Sequence, residues 1–206
     1  MSEFDQKAAT WDEDPTKIER AQTIASRLKE YFKDKRFKEV LEYGSGTGLL
    51  GFAFLDKCDH LTLMDESIEM TNLAKQKTMR YEEGRVEALQ YDLMNDPLPN
   101  KRFDLIFTLL TMHHIPDTNG ILEKFSKILN PGGILALIDL EKEDGSFHDG
   151  EFEGHLGFEK IKLESQLNNN GFEAMDFFEV YRITKKLDNG VEKEYPLFLS
   201  ISKKTS

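Results

Sequence analysis

The 206-residue chain has one cysteine, Cys58, which excludes an intrachain disulfide and any cysteine-rich metal site and suits a reducing compartment. The plain reading of that thiol is a buried apolar group. Positive charge is scarce as well. There are 27 Lys and Arg against 38 Asp and Glu, a formal net charge of −11, and the pI is near 5.0. Tight contact with a polyanion needs clustered cations that release counterions, so no nucleic-acid partner is expected. A small molecule, or a basic or neutral partner, is favoured instead. The sequence has no apolar run of membrane-spanning length, and its acidic start, "MSEFDQKAATWDEDP", lacks the basic and apolar parts of a signal peptide. The expectation is a cytoplasmic protein with no membrane contact. No repeat, low-complexity tract or interdomain linker divides the chain, whose length suits one domain with a substantial core.

What is present is alternation. From Thr16 to about Lys33, Ile18, Ala21, Ile24, Ala25, Leu28, Tyr31 and Phe32 recur at three- and four-residue steps and predict a first amphipathic helix. "EVLEY" (39–43) reads as a short buried strand, the glycines after it as its exit turn, and "LLGFAFLDK" as the next helix. "HLTLM" (60–64) and "VEALQ" (86–90) read as strands, separated by a helix capped by Ser67 and running to about Arg80. "FDLIFTLL" (103–110) is apolar enough for a strand covered on both faces. A helix from about Asp117 to Ile128 is expected to stop at "LNPGG", which turns into the strand "ILALIDL" (134–140). After a helix from roughly Phe158 to Asn169, two β-rich segments, about 174–183 and 195–202, flank "LDNG", an Asn-Gly hairpin signal. The implied fold is α/β: a Rossmann-like, mostly parallel sheet with helices on both faces and an antiparallel C-terminal hairpin.

The loop in "VLEYGSGTGLLGF" (40–52) carries glycines at Gly44, Gly46 and Gly48. A triphosphate loop would end in Gly-Lys-Ser/Thr, but Leu49 and Leu50 follow Gly48. A dinucleotide fingerprint needs glycine at its sixth position, where Leu49 stands. Glu42, just ahead of the loop, would repel a pyrophosphate and could attract an ammonium group. Two Tyr-x-x-x-Lys matches, Tyr31 to Lys35 and Tyr181 to Lys185, are badly placed for a dehydrogenase and are set aside.

Taken in order, "VLEYGSGTG", "LTLMDESIEM", "YDLMNDPLPNKRFDLIFTLLTMHHI" and "LNPGGILALIDL" resemble the class I S-adenosylmethionine-dependent methyltransferases, from about Val40 to Leu140. The resemblance implies a seven-stranded sheet with an antiparallel last strand, and S-adenosylmethionine as cofactor with S-adenosylhomocysteine as product. It implies one domain throughout: a lid region over 1–35, a cofactor-binding core over 36–140, a substrate loop over 141–157, and a C-terminal helix and hairpin over 158–206. By resemblance Glu42, Gly44, Ser45, Gly46 and Gly48 lie about the methionine moiety. Asp65 is the ribose ligand with Glu66 and Ile68 beside the adenosine, Asp92 takes the adenine amino group, and the Leu93 backbone reads the ring. Thr108 borders the methionine part, and Trp11 belongs to a lid over the cleft.

Methyl transfer from a sulfonium needs alignment and exclusion of water more than any obligatory catalytic side chain. A base is required only where the acceptor must lose a proton. "TLLTMHHIPD" lacks the Asn/Asp-Pro-Pro-aromatic motif of enzymes that methylate exocyclic amines, and looks like a small-molecule methyltransferase segment. His113 and His114 are therefore candidates for the methyl-transfer pocket, with His114 preferred as base. His148 and His155 in the long loop are further candidates, and no spacing suggests a metal site. The expected function is methyl transfer to a small molecule at O, N, C or S. Two alternatives stay open: a module that binds cofactor or partner without transfer, and an enzyme acting on a protein. Oligomeric state is not encoded in any motif.

Overall fold

The computed structural model describes residues 2–148, 150, 152–187 and 189–205. The sheet begins with the central strand β1 (Phe37–Tyr43), flanked in parallel by β2 (Cys58–Asp65) and β4 (Phe103–Leu109). Strand β3 (Val86–Gln90) lies outside β2, and β5 (Leu129–Leu140) lies outside β4. Strands β6 (Phe172–Lys186) and β7 (Glu192–Lys204) complete the order β3-β2-β1-β4-β5-β7-β6, with β7 antiparallel to both neighbours. This is the Rossmann-like seven-stranded sheet with the antiparallel end that the sequence implies.

Two apolar layers enclose the sheet, and strand alternation assigns residues to them. Helix α2 (Pro15–Tyr31) brings Ala21, Ile24 and Leu28 against Val40, Leu105 and Phe107, joined by Leu50 and Phe54 of α3 (Leu49–Phe54). On the other face α5 (Thr118–Ile128) and α6 (Lys160–Asn169) set Ile121, Phe125, Leu163 and Leu167 against Leu41, Ile106, Leu135 and Leu137. Helix starts follow local chemistry. The Asp14 side chain accepts the Thr16 N–H with Pro15 in the first turn of α2, and Ser67 accepts the Met70 N–H at the head of α4 (Ile68–Thr78).

Two segments differ from expectation. The start of the chain is structured: α1 (Glu3–Lys7) and a 3-10 stretch, Ala8–Glu13, precede α2. Only Ala8 is buried among them, so no apolar stripe announced them. The second difference is "LNPGG", which is not a turn between helix and strand. Leu129 already pairs with Phe103, and the register shifts before Ile134 meets Leu105. The residues between form a bulge inside β5, held by Asn130 donating to Asp104 Oδ1 at 2.8 Å. At the C-terminal hairpin the Leu187 N–H donates to the Val191 carbonyl at 2.8 Å; Asp188 of the expected turn lies outside the described residues.

Candidate active site

The strand order reverses between β1 and β4, and open α/β sheets bind ligands beyond the carboxyl ends of strands at such a point. The glycine loop stands there. Its Gly44 and Ser45 N–H groups donate to the Met64 carbonyl at 2.8 and 3.0 Å, which ties the loop to the end of β2. Gly44 has φ +67°, and a Cβ there would fall 2.2 Å from Thr111 Cγ2, so only glycine lets the β4 exit close on the loop. Leu110, immediately before Thr111, holds a left-handed φ of 52°, a strained backbone at the site's edge.

Asp65 ends β2 as expected and grips the loop. Its Oδ2 accepts the Gly46 N–H at 2.6 Å and its Oδ1 accepts the Ser67 N–H at 2.9 Å. Burial raises this carboxyl above the ordinary aspartate value, partly offset by those two donors. Beside it a cavity of about 320 Å³ is lined by Glu66, Gln90, Tyr91, Asp92 and Asp96, with no cation in the lining. Burial first, and then the charges of Asp65, Asp92 and Asp5, push the Glu66 carboxyl up. Asp92 faces this cavity but is also engaged in its own turn, accepting from the Met94 N–H at 2.8 Å and the Asn95 amide at 2.6 Å. Leu93 is fully buried.

Glu42, expected from sequence to attract a ligand's ammonium group, ends the buried strand β1. Its side chain lies buried beneath the loop and accepts the Gly51 N–H at 2.8 Å. Burial pushes the carboxyl up to about 8, so at neutral pH it is an uncharged acid under α3. Thr108 is likewise fully buried within β4, its hydroxyl without a hydrogen-bond partner among the described residues.

The N-terminal segment covers the loop. Trp11 Nε1 lies 3.7 Å from the position a Cβ on Gly46 would take. Lys17 sits over the indole at 4.2 Å, and Phe4 meets it edge-on. Asp12 fastens the cover by accepting from the Thr47 hydroxyl and pairing with Lys77, each at 2.5 Å. Asp5 accepts the Ser67 hydroxyl at 2.6 Å, one residue beyond Glu66.

The histidines converge on the other side of the cleft. Met112–His114 form a 3-10 turn that sends His113 inward, 1% exposed. There its Nδ1 meets Asp139 Oδ1 at 2.6 Å, and its backbone N–H reaches Asp139 Oδ2 at 3.2 Å. The rings of His114 and His148 stand 4.1 and 5.2 Å from it, and His148 stacks on Phe152 at 3.5 Å. His114 also meets Phe4 of the N-terminal cover at 5.2 Å. Burial, and then His113 and His148, lower the His114 imidazole to about 4; burial lowers His148 also. The loop after β5 is seated by the His155 N–H, which donates to the His113 carbonyl at 2.7 Å. A Cβ on Gly154 would fall 2.3 Å from that carbonyl oxygen, so the approach requires glycine. His155 itself points away, its Nε2 toward the Ile115 and Pro116 carbonyls.

The structure thus gathers Gly44, Ser45, Gly46, Asp65, Glu66, Asp92 and Trp11 along one side of the cleft, and His113, His114 and His148 on the other. Phe4, Phe152 and Asp12 were not singled out from sequence as site residues, and Asp139 was not expected to partner a histidine. Nothing in the local pattern near Asp139 marks it as the partner of a histidine 26 residues earlier. Among the described residues no set of three or more His, Cys, Asp or Glu is arranged to hold a metal ion, and no helix is long and apolar enough to cross a membrane.

Residues 40–133 match the model of a family described as "methyltransferase domain". An uncharacterised methyltransferase of Mycobacterium bovis is 32% identical over 99 residues, 48% of this chain and 49% of that protein. The 27-O-demethylrifamycin SV methyltransferase of Amycolatopsis mediterranei is 27% identical over 134 residues, 63% of this chain and 48% of that protein. The chain spans about half the length of the curated relatives it matches. Among solved structures, the N-methyltransferase NodS of Bradyrhizobium japonicum, in complex with S-adenosylhomocysteine, superposes with a TM-score of 0.68. It is 17% identical, and the match covers 95% of this chain and 90% of that one.

Proposed function

From the match of residues 40–133 to a methyltransferase domain we propose that this chain is a class I S-adenosylmethionine-dependent methyltransferase that transfers the methyl group of S-adenosylmethionine to a small-molecule acceptor by in-line displacement. The observation that carries the reading is the grip of Asp65 on Gly46 beneath Trp11. It joins a carboxylate suited to a ribose diol, a loop of backbone amides and an aromatic cover within one cleft.

The residues fit the cofactor by charge and by shape. A sulfonium nucleoside carrying an amino acid is cationic at two places and anionic at one. The cavity beside Asp65 has acidic side chains and no lysine or arginine in its lining, which suits this ligand and disfavours a phosphorylated one. Gly46 has no side chain to occupy the space beneath the indole, where a Cβ would also approach Met70 Sδ at 3.9 Å. In this reading the loop of Gly44, Ser45, Gly46 and Gly48 lines the methionine moiety by close backbone approach, its own N–H groups being held by Met64, Asp65 and Ser45. Asp65 accepts the ribose hydroxyls with Glu66 beside them, and Asp92 with the Leu93 backbone reads the adenine. Glu42 supports the loop from below by holding the first turn of α3.

The bound sulfonium supplies an activated methyl carbon. The chain contributes position and dryness: Trp11 and Phe4 close from the N-terminal side, and His148 and Phe152 close from the loop after β5. His113, His114 and His148 line the acceptor side. Small-molecule chemistry is supported by the relative whose printed substrate is a demethylated rifamycin. Titration calorimetry tests the proposal. Both S-adenosylmethionine and S-adenosylhomocysteine should bind in the micromolar range; a folded protein that binds neither removes it.

A further inference from the structure

Resting on that methyl-donor reading, we propose that the acceptor atom is the hydroxyl oxygen of a flat aromatic compound, a phenol, with His113 Nε2 as the base and Asp139 as the residue that positions it. The geometry of the pair sets which nitrogen is available. Asp139 is fully buried in β5, receives two backbone N–H groups, from His113 at 3.2 Å and Leu140 at 2.7 Å, and stands with its Oδ1 2.6 Å from His113 Nδ1. A carboxylate so surrounded by donors is an acceptor only, so Nδ1 carries the imidazole proton and Nε2 keeps its lone pair. His114, the neighbour in sequence, has no carboxylate partner of this kind, and burial among imidazoles weakens it as a base. The proposal therefore takes His113 as the base, where the sequence preferred His114.

The surroundings of Nε2 describe the acceptor. His113 is faced by the rings of His114, His148, Phe147 and Phe152 at centroid distances of 4.1, 5.2, 6.4 and 5.8 Å. His148 and Phe152 stack face to face, their planes 10° apart and their centroids 3.5 Å from each other, so the wall beside His113 is a pair of parallel flat rings. His148 Nε2 is buried without a hydrogen-bond partner among the described residues, a polar atom beside stacked rings that a hydroxyl-bearing ligand would satisfy. A neutral amine already presents a lone pair to the methyl carbon. A hydroxyl gains most from a base supported by a buried carboxylate, because its proton must leave as the bond forms. In the step, the phenol O–H proton passes to His113 Nε2, and the oxygen lone pair forms the O–CH3 bond. The electrons of the broken C–S bond stay on sulfur, leaving a neutral thioether. The imidazolium afterwards releases its proton to water.

The test separates this inference from the reading beneath it. Protein saturated with S-adenosylhomocysteine, with binding verified by calorimetry, is mixed with 4-nitrophenol at a pH where the free dye is mostly protonated. The expected result is growth of the nitrophenolate absorption band on binding. That band should fall at least tenfold in His113→Gln and in Asp139→Asn while Lys127→Gln, on the exposed face of α5, retains it, with S-adenosylhomocysteine affinity and circular dichroism unchanged in all three. Nitrogen-15 spectra of the imidazoles should show His113 protonated at Nδ1 in the wild type and a changed tautomer distribution in Asp139→Asn. In turnover with labelled S-adenosylmethionine, 2-naphthol should take the label in preference to 2-naphthylamine and 2-naphthalenethiol. Absence of the phenolate band in protein that binds S-adenosylhomocysteine, a band indifferent to His113→Gln, or label on the amine or thiol in preference to the naphthol overturns the inference. Failure to bind S-adenosylhomocysteine overturns the methyl-donor reading instead.

Discussion

Gly46 gives its backbone N–H to Oδ2 of Asp65 across 2.6 Å, so the middle of the glycine loop and the end of the second strand are held together by one carboxylate. The same carboxylate caps the turn into α4 through the Ser67 N–H. Loop, strand end and helix start therefore share a single acidic side chain, and a ligand diol arriving there meets an acceptor whose position is already set.

Changing that acceptor should be costly. Hydrogen bonds to an ionised group contribute about 1.5–3 kcal/mol each. Asp65→Asn is therefore expected to weaken S-adenosylhomocysteine binding by roughly tenfold to a hundredfold, and Asp65→Ala to abolish it by calorimetry. Affinity unchanged in Asp65→Asn removes this residue from the ribose site.

Trp11 is the sole tryptophan in the sequence, and its indole stands beside Gly46. Intrinsic tryptophan emission should therefore change on addition of S-adenosylmethionine, with a saturation curve that matches calorimetry. Asp12→Asn, which removes the ion pair with Lys77, should speed cofactor release in stopped-flow fluorescence by severalfold. Emission that ignores saturating cofactor places the indole away from it.

His114 carries an acid-side signature. Burial, followed by His113 and His148, lowers it from 6.5 to about 4, so below pH 6.5 the unfolded chain binds the proton more readily than the folded one. This contribution to stability is complete above pH 6.5 and is lost as pH falls toward 4. His114→Gln should show a smaller drop in melting temperature between pH 7 and pH 4.5 than the wild type. An equal drop assigns the acid sensitivity to other groups.

Glu42 carries the opposite signature. Burial raises it from 4.5 to about 8, so the folded state holds a proton that the unfolded state has released. Its contribution is complete below pH 4.5 and is lost as pH rises through about 8, at about 1.4 kcal/mol per pH unit for one proton. Glu42→Gln keeps an oxygen for the Gly51 N–H and should flatten the decline in melting temperature from pH 5 to 8. A decline as steep as that of the wild type means that Glu42 is ionised in the folded protein.

Much of the sheet could be read from one dimension because its signals are local. Val86–Gln90 stands where the apolar run stands, Ser67 caps where a serine precedes a helical pattern, and Asp65 ends its strand. Glycine at 44 was legible for the same reason, since a loop between buried strand and helix that reverses so tightly needs it. Less visible was the fold of Glu3–Glu13, whose short helical pieces bury only Ala8 and are held by Asp5, Trp11 and Asp12 reaching to distant residues. The bulge at Asn130–Gly133 was misread because Pro and Gly interrupt a strand pattern whether they end it or buckle it, and the pairing partner, Phe103, decides which.

The amino-acid sequence by itself determined the order of strands and helices, the glycine loop and the acid at the end of the second strand, because periodicity and backbone conformation depend on near neighbours. Two adjacent histidines are equivalent at that level. Only the tertiary structure distinguished them: parallel pairing of β4 with β5 brings Asp139 beneath the turn after β4, and the 3-10 geometry aims His113 at that carboxylate while His114 is left among rings. The same is true of Glu42, which in sequence is an acid before a glycine loop. Burial under α3 makes it a neutral one, a property that depends on what packs around a residue rather than on what precedes it.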